Sequence, residues 1–136
     1  MKKLYLLFSF LITIFGCDRK LYYWEFEQSY KEVHQIKIIE IIDGSDYIEK
    51  KQISLDFTQE IYYDITNIAM KRYGTNLSHP MGKCFVIEFN NGEYDIISQK
   101  ESKHFRYDDD EIKGYNSWLY FEKDDFNSLI NKYLEK

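Results

Sequence analysis

The groups in this 136-residue chain that could do chemistry are three histidines, two cysteines and 23 acidic side chains. His34, His79 and His104 lie in separate segments and show neither the HxxxH nor the HExxH spacing that sets two imidazoles on one helix face for zinc. A hydrolytic site would need the fold to carry one of them to a carboxylate or to Cys84. The densest acidic run, Asp108-Asp109-Asp110-Glu111, has oxygen ligands of the kind calcium prefers. Starting at Asp108 or at Asp109, however, it does not supply the ligands, central glycine and closing carboxylate at EF-hand spacing. It reads as a solvated acidic loop whose functional use would be a patch for a basic protein partner, because complementary fields speed association. Cys84 stands in the apolar run Cys84-Phe85-Val86-Ile87 and reads as a small buried hydrophobe rather than a nucleophile. The chain has no GxSxG elbow, glycine-rich phosphate loop or SxxK pattern, and Asp43-Gly44-Ser45-Asp46 is turn chemistry. No catalytic residue, metal ligand set or cofactor is therefore expected.

The other cysteine closes the run Met1-Lys2-Lys3-Leu4-Tyr5-Leu6-Leu7-Phe8-Ser9-Phe10-Leu11-Ile12-Thr13-Ile14-Phe15-Gly16-Cys17. A basic tip, an uncharged apolar stretch too short for a stable span, and a small residue at the cut position form the three-part pattern of a secretory signal. The ending Ile14-Phe15-Gly16-Cys17 resembles the lipobox of bacterial lipoproteins, with Phe15 bulkier than the usual occupant. The resemblance implies cleavage between Gly16 and Cys17 and acylation of Cys17, which becomes the first residue of the mature chain. Three segments follow: 1–16 as signal peptide, 17–20 as acylated cysteine and short tether, and 21–136 as one globular domain. Each buried acyl methylene contributes about 0.8 kcal/mol, so a multiply acylated cysteine holds the chain stably on the extracytoplasmic face of the cell membrane. Asp18, directly after that cysteine, resembles the inner-membrane retention signal of some diderm lipoproteins.

The leader holds two of the 18 basic side chains and none of the acidic ones, so the mature chain carries 16 against 23, a net charge of −7. Such a surface repels nucleic acid, which is not expected as a partner. With Cys17 acylated, Cys84 is the only thiol left and no internal disulfide can form. The 120 residues from Cys17 to Lys136 can bury about two-thirds of their unfolded surface, enough for a single core. Thirteen Tyr, ten Phe and one Pro make the composition globular rather than disordered.

The elements that would position these groups are legible from periodicity. Trp24 and Phe26 alternate with Glu25 and Glu27 as a half-buried extended segment does, which draws residues from Leu21 onward into the fold. Ile36 to Ile42 and Tyr47 to Leu55, broken at Asp43-Gly44-Ser45-Asp46, predict a hairpin. Asp56 with Gln59 marks a helix start, and Phe57, Ile61, Ile65 and Ile68 share one face. Lys71 and Arg72 would fall in that helix's last turn, with Gly74 as its cap. Asn91-Gly92 between Cys84–Phe89 and Tyr94–Ile97 predicts a two-residue type I′ hairpin. That turn would set Phe89 opposite Tyr94, Ile87 opposite Ile96, Val86 opposite Ile97 and, on the solvent side, Glu88 opposite Asp95, with a lysine as companion. A short strand near His104-Phe105-Arg106-Tyr107 and another at Trp118-Leu119-Tyr120-Phe121 precede a final helix. Asp124 would cap that helix, and Phe126, Leu129, Ile130, Tyr133 and Leu134 form its stripe. The expected fold class is α+β, an antiparallel sheet of two or more hairpins packed on one face by two helices, in the order β-β-α-β-β-(β)-β-α.

An anchored, acidic, aromatic-rich domain without a catalytic pattern is expected to be a non-catalytic protein-binding module of the cell envelope. One specific form is an immunity or inhibitor protein against a toxin or hydrolase that arrives at the membrane. The alternative is a small-ligand carrier or sensor that uses a Tyr- and Trp-lined cavity.

Overall fold

The computed structural model describes residues 21–44, 46–72, 80–105, 113–114 and 119–136. The expected signal segment 1–16, Cys17, Asp18, Gly74, His79, Arg106 and Tyr107 of the expected short strand, the acidic run 108–111 and Trp118 lie outside the described residues. The architecture is the expected α+β arrangement, with all strand pairings antiparallel.

Strands β1 (Val33–Asp43) and β2 (Asp46–Ile53) form the first hairpin, closed where Asp43 faces Asp46 beside Gly44 at φ +54°. The second hairpin is β4 (Gly82–Phe89) with β5 (Tyr94–Ser98). It is continued by β6 (Lys103–Phe105) and the two-residue β7 (Lys113–Gly114), giving the spatial order β2-β1-β4-β5-β6-β7. A separate two-stranded sheet, which periodicity did not indicate, joins β3 (Met70–Arg72) to β8 (Leu119–Phe121). Helices α1 (Thr58–Asn67) and α2 (Lys123–Glu135) lie with this small sheet on one side of the large one.

Side-chain parity explains that placement. Ile36, Ile38, Phe85, Ile87 and Ile97 point to one face, where they meet Ile61 and Ile65 of α1 and Phe126, Leu129, Ile130 and Tyr133 of α2. Phe85 takes the rings of Phe126 (6.4 Å, 82°) and Tyr133 (5.9 Å, 77°) edge-on, the arrangement the ring quadrupoles favour. Trp24, 1% exposed, completes this core. The exchange of backbone hydrogen bonds between Tyr22 and Met70 (3.1 and 2.7 Å) fixes the segment that carries it. The expected alternation is present there: Tyr22, Trp24, Phe26 and Gln28 turn inward, and Leu21, Tyr23, Glu25 and Glu27 turn outward.

Four local expectations are corrected. Helix α1 stops at Asn67, so Lys71 and Arg72 belong to β3 rather than to its last turn. Thr66 donates to the Tyr62 and Tyr63 carbonyls and Asn67 Nδ2 to Tyr63 O. These side chains take over the terminal acceptors, and pairing with β8 claims residues 70–72. Before α1, Leu55 leaves β2 to form a 3₁₀ turn with Asp56 and Phe57. That turn is capped by Ser54 Oγ accepting from Asp56 N, so Asp56 is capped rather than capping. Helix α2 begins at Lys123 with Glu122 as its cap residue. Asp124 therefore sits in the first turn, where a carboxylate complements the positive end of the helix dipole.

The fourth correction has the largest consequence. Phe89 N donates to Glu93 O (2.9 Å) and Gly92 N to Phe89 O (2.9 Å), with Gly92 at φ +84°. The loop is thus three residues, Asn90-Asn91-Gly92, a type I turn closed by a left-handed glycine, rather than a two-residue type I′ turn. Asn91 Oδ1 adds an acceptor for Glu93 N at 3.0 Å. The extra loop residue shifts the pairing by one: Glu88 faces Tyr94, Ile87 faces Asp95, Val86 faces Ile96 and Phe85 faces Ile97. A one-residue shift moves a side chain to the other side of the sheet, and Asp95 goes from solvent to the core face.

Candidate functional site

Of the histidines and cysteines, His34, Cys84 and His104 lie among the described residues. His34 is exposed on β1, and Cys84 is fully buried with Sγ 3.7 Å from Gly82 O. Burial pushes the Cys84 thiol up to about 12, because a thiolate there would lose its hydration, so it is an inert hydrophobe as expected. His104, on β6, lies directly opposite Asp95 on β5, with Nδ1 2.9 Å from Asp95 Oδ1. No sequence spacing pointed to this pair; only the three-residue loop creates it.

The Asp95–His104 contact has the geometry by which a carboxylate orients a catalytic imidazole. Its surroundings differ from those of a catalytic base. Asp95 is 0% and His104 2% exposed, and the Trp24 ring lies 4.4 Å from the imidazole. The exposed Glu27 carboxylate approaches Nε2 only to 4.0 Å. In the β5–β6 connection Ser98 Oγ donates to Lys100 O, and Ser102 Oγ donates to Ser98 O (3.0 Å) while accepting from Ser98 N (3.0 Å). These serines tie the tight β5–β6 connection, in which buried Glu101 takes φ +63° with its carboxylate 3.7 Å from Lys103 Nζ. The Asp95–His104 contact thus ties β5 to β6 inside the core. Among the described residues no group of three His, Cys, Asp or Glu side chains is placed to hold a metal ion.

The feature best placed to bind something is the opposite face of the sheet. Lys37, Ile39 and Ile41 of β1, Val86 and Glu88 of β4, Tyr94 and Ile96 of β5 and Phe105 of β6 turn away from the helices. With Tyr47 and Gly44 they line a hollow of about 430 Å³. Its floor is aliphatic and one wall is aromatic, Tyr94 and Phe105 stacking at 4.5 Å and 9°. Among the described residues the charged side chains lining it are Lys37 and Glu88, 3.8 Å apart, and Lys37 also reaches Glu49 at 3.7 Å. This is the lysine companion expected for Glu88, although its partner across the strand is Tyr94 and not Asp95. At the far end of the hollow, on the β1–β2 hairpin, Tyr47 opposite Ile41 is 60% exposed, whereas Ile48, opposite Glu40, turns to the other side of the sheet.

The signal for this face was in the sequence. Ile38-Ile39, Ile41-Ile42, Phe85-Val86-Ile87 and Ile96-Ile97 are apolar at both parities, so the strands that carry them are apolar on both sides while helices cover one. Among the described residues no helix is long and apolar enough to cross a membrane. In comparison with known proteins, no family model, curated protein or solved structure matches this chain.

Proposed function

We propose that the chain is a lipid-anchored protein of the bacterial cell envelope that acts as a non-catalytic protein-binding module, docking its partner on the open face of the sheet. The observation that carries this reading is the hollow floored by Ile39, Ile41, Val86 and Ile96 with the exposed Tyr47 on its rim. Contiguous apolar surface of this kind costs solubility and marks interaction sites. The anchor is Cys17, and its support is the leader sequence described above. An envelope-targeting toxin or hydrolase is the specific partner class an immunity protein would take.

The test combines crosslinking with one substitution. Proteins crosslinked to the membrane-bound chain in its native cells are identified by mass spectrometry in the parent and in Ile96→Lys, which places a charge in the hollow without touching the core face. A partner retained by the parent and lost from a folded Ile96→Lys supports docking there; equal recovery contradicts it. The hollow's volume also falls within the roughly 300–1,000 Å³ of small-molecule pockets, which favours the ligand-carrier reading as second choice. Native mass spectrometry with no retained or exchangeable ligand would remove it.

A further inference from the structure

We infer that the domain rests on the bilayer through the surface formed by the extended segment after Leu21 and the outer side of α1, so that the open sheet face points away from the membrane. This rests on the Cys17 anchor proposed above. Only Asp18, Arg19 and Lys20 separate Cys17 from Leu21, and at about 3.5 Å per extended residue the two Cα atoms are at most about 14 Å apart. Tyr22 is already locked to Met70 by two backbone hydrogen bonds, so the chain cannot pay out further slack without breaking the fold. Whatever surrounds Leu21 is therefore held close to the headgroups.

What surrounds it suits that position. Leu21 and Tyr23 are 49% and 46% exposed on the outward side of the segment. Tyr23 shares one broad depression with Tyr63 of α1, the most exposed large hydrophobic side chain of the described residues at 68%. Beneath them the surface is rigid: Phe26 stacks on Tyr62 at 3.7 Å and 12°, and Tyr62 Oη donates to Gln28 O at 3.2 Å. Tyrosines of this kind, with an apolar ring and a wet hydroxyl, concentrate at membrane–water boundaries. Glu25 and Glu27 on the same side are repelled by anionic headgroups, so the occupant is a zwitterionic lipid surface. Because α1 covers the core face of the sheet, a membrane on its outer side leaves Lys37, Val86 and Ile96 directed outward, open to a partner.

The acylated mature protein is reconstituted into phosphatidylcholine vesicles, exposed to hydroxyl radicals made in the water phase, and digested for mass spectrometry. The same mature chain without acyl groups, in solution, is the reference. Tyr47, on the open face and 60% exposed, is the internal standard. In solution Tyr63 should oxidise about as fast as Tyr47. On vesicles the Tyr63-to-Tyr47 and Tyr23-to-Tyr47 ratios should fall at least threefold. Acylated protein with unchanged ratios, or with Tyr47 protected instead, would overturn the seat while leaving the anchor intact. A Cys17 peptide without acyl mass in protein taken from cells would overturn both.

Discussion

Replacing Asp95 with alanine separates the hairpin observed from the one its Asn-Gly dipeptide suggests. With a two-residue turn Asp95 would face water, and a surface substitution there would change stability by no more than about 0.5 kcal/mol. With the three-residue loop Asp95 is fully buried and 2.9 Å from His104 Nδ1. Its removal takes the carboxylate partner from a buried imidazole, at about 1–3 kcal/mol, and the cost rises to about 3–5 kcal/mol where the broken pair is ionic. We expect about 3 kcal/mol, which for a domain of this size lowers Tm by about 12 °C. Urea unfolding followed by intrinsic fluorescence measures it, and the double replacement Asp95→Leu/His104→Phe gives the control. Removing both partners takes away both ends of this hydrogen bond and keeps a ring against Trp24, so it should cost less than the sum of the single changes by about 1–3 kcal/mol. An Asp95→Ala protein within about 0.5 kcal/mol of the parent would refute the register and the buried pair together.

The remaining expectations concern the thiol, the helix pair and the loop. Cys84 should be unreactive toward a disulfide reagent at pH 8 in the folded protein and react stoichiometrically in urea; fast labelling of the native state would contradict its burial. Hydrogen bonds from Lys132 and Lys136 hold the Glu60 carboxyl down at about 2. A carboxyl lowered on folding adds stability above its unfolded value near 4.5 and loses it as pH falls toward 2. Urea midpoints of the parent and Glu60→Gln should therefore converge between pH 4.5 and 2, and at neutral pH the gap should shrink in high salt. A gap constant across that window would count against the bridge. Gly92→Ala should cost about 1–2 kcal/mol because φ of +84° strains an L side chain, and Gly92→Asn less; equal costs would argue against the left-handed position.

How far the sequence revealed the fold depends on how local each determinant is. The α2 stripe at Phe126, Leu129, Ile130 and Tyr133 is buried where its spacing places it, because a helix face is set by residues within two turns of each other. The two hairpins and the single helical layer were legible for the same reason. The end of α1 was not, since Met70–Arg72 is claimed by Leu119–Phe121 about fifty residues away, and no local propensity reports that. The Asp95–His104 pair stayed hidden behind one loop residue. Asn-Gly is compatible with both a two-residue and a three-residue turn, and the choice decides whether the acid at position 95 meets water or the imidazole. The open face was readable in principle from strands apolar at both parities, but a continuous apolar run also fits a strand buried between two layers. Only the absence of a second helical layer among the described residues makes it a surface.

Docking on that open face is tested most directly by photo-crosslinking in living cells. A photoreactive amino acid is placed in turn at Val86, in the hollow, at Tyr47, on its rim, and at Tyr63, on the outer side of α1. The first two positions should yield the same protein adduct, both lost in the Ile96→Lys background, and Tyr63 should yield none with that protein. An adduct with it that forms from Tyr63 and not from Val86 or Tyr47 would place the binding surface on the wrong side of the sheet and contradict the proposal.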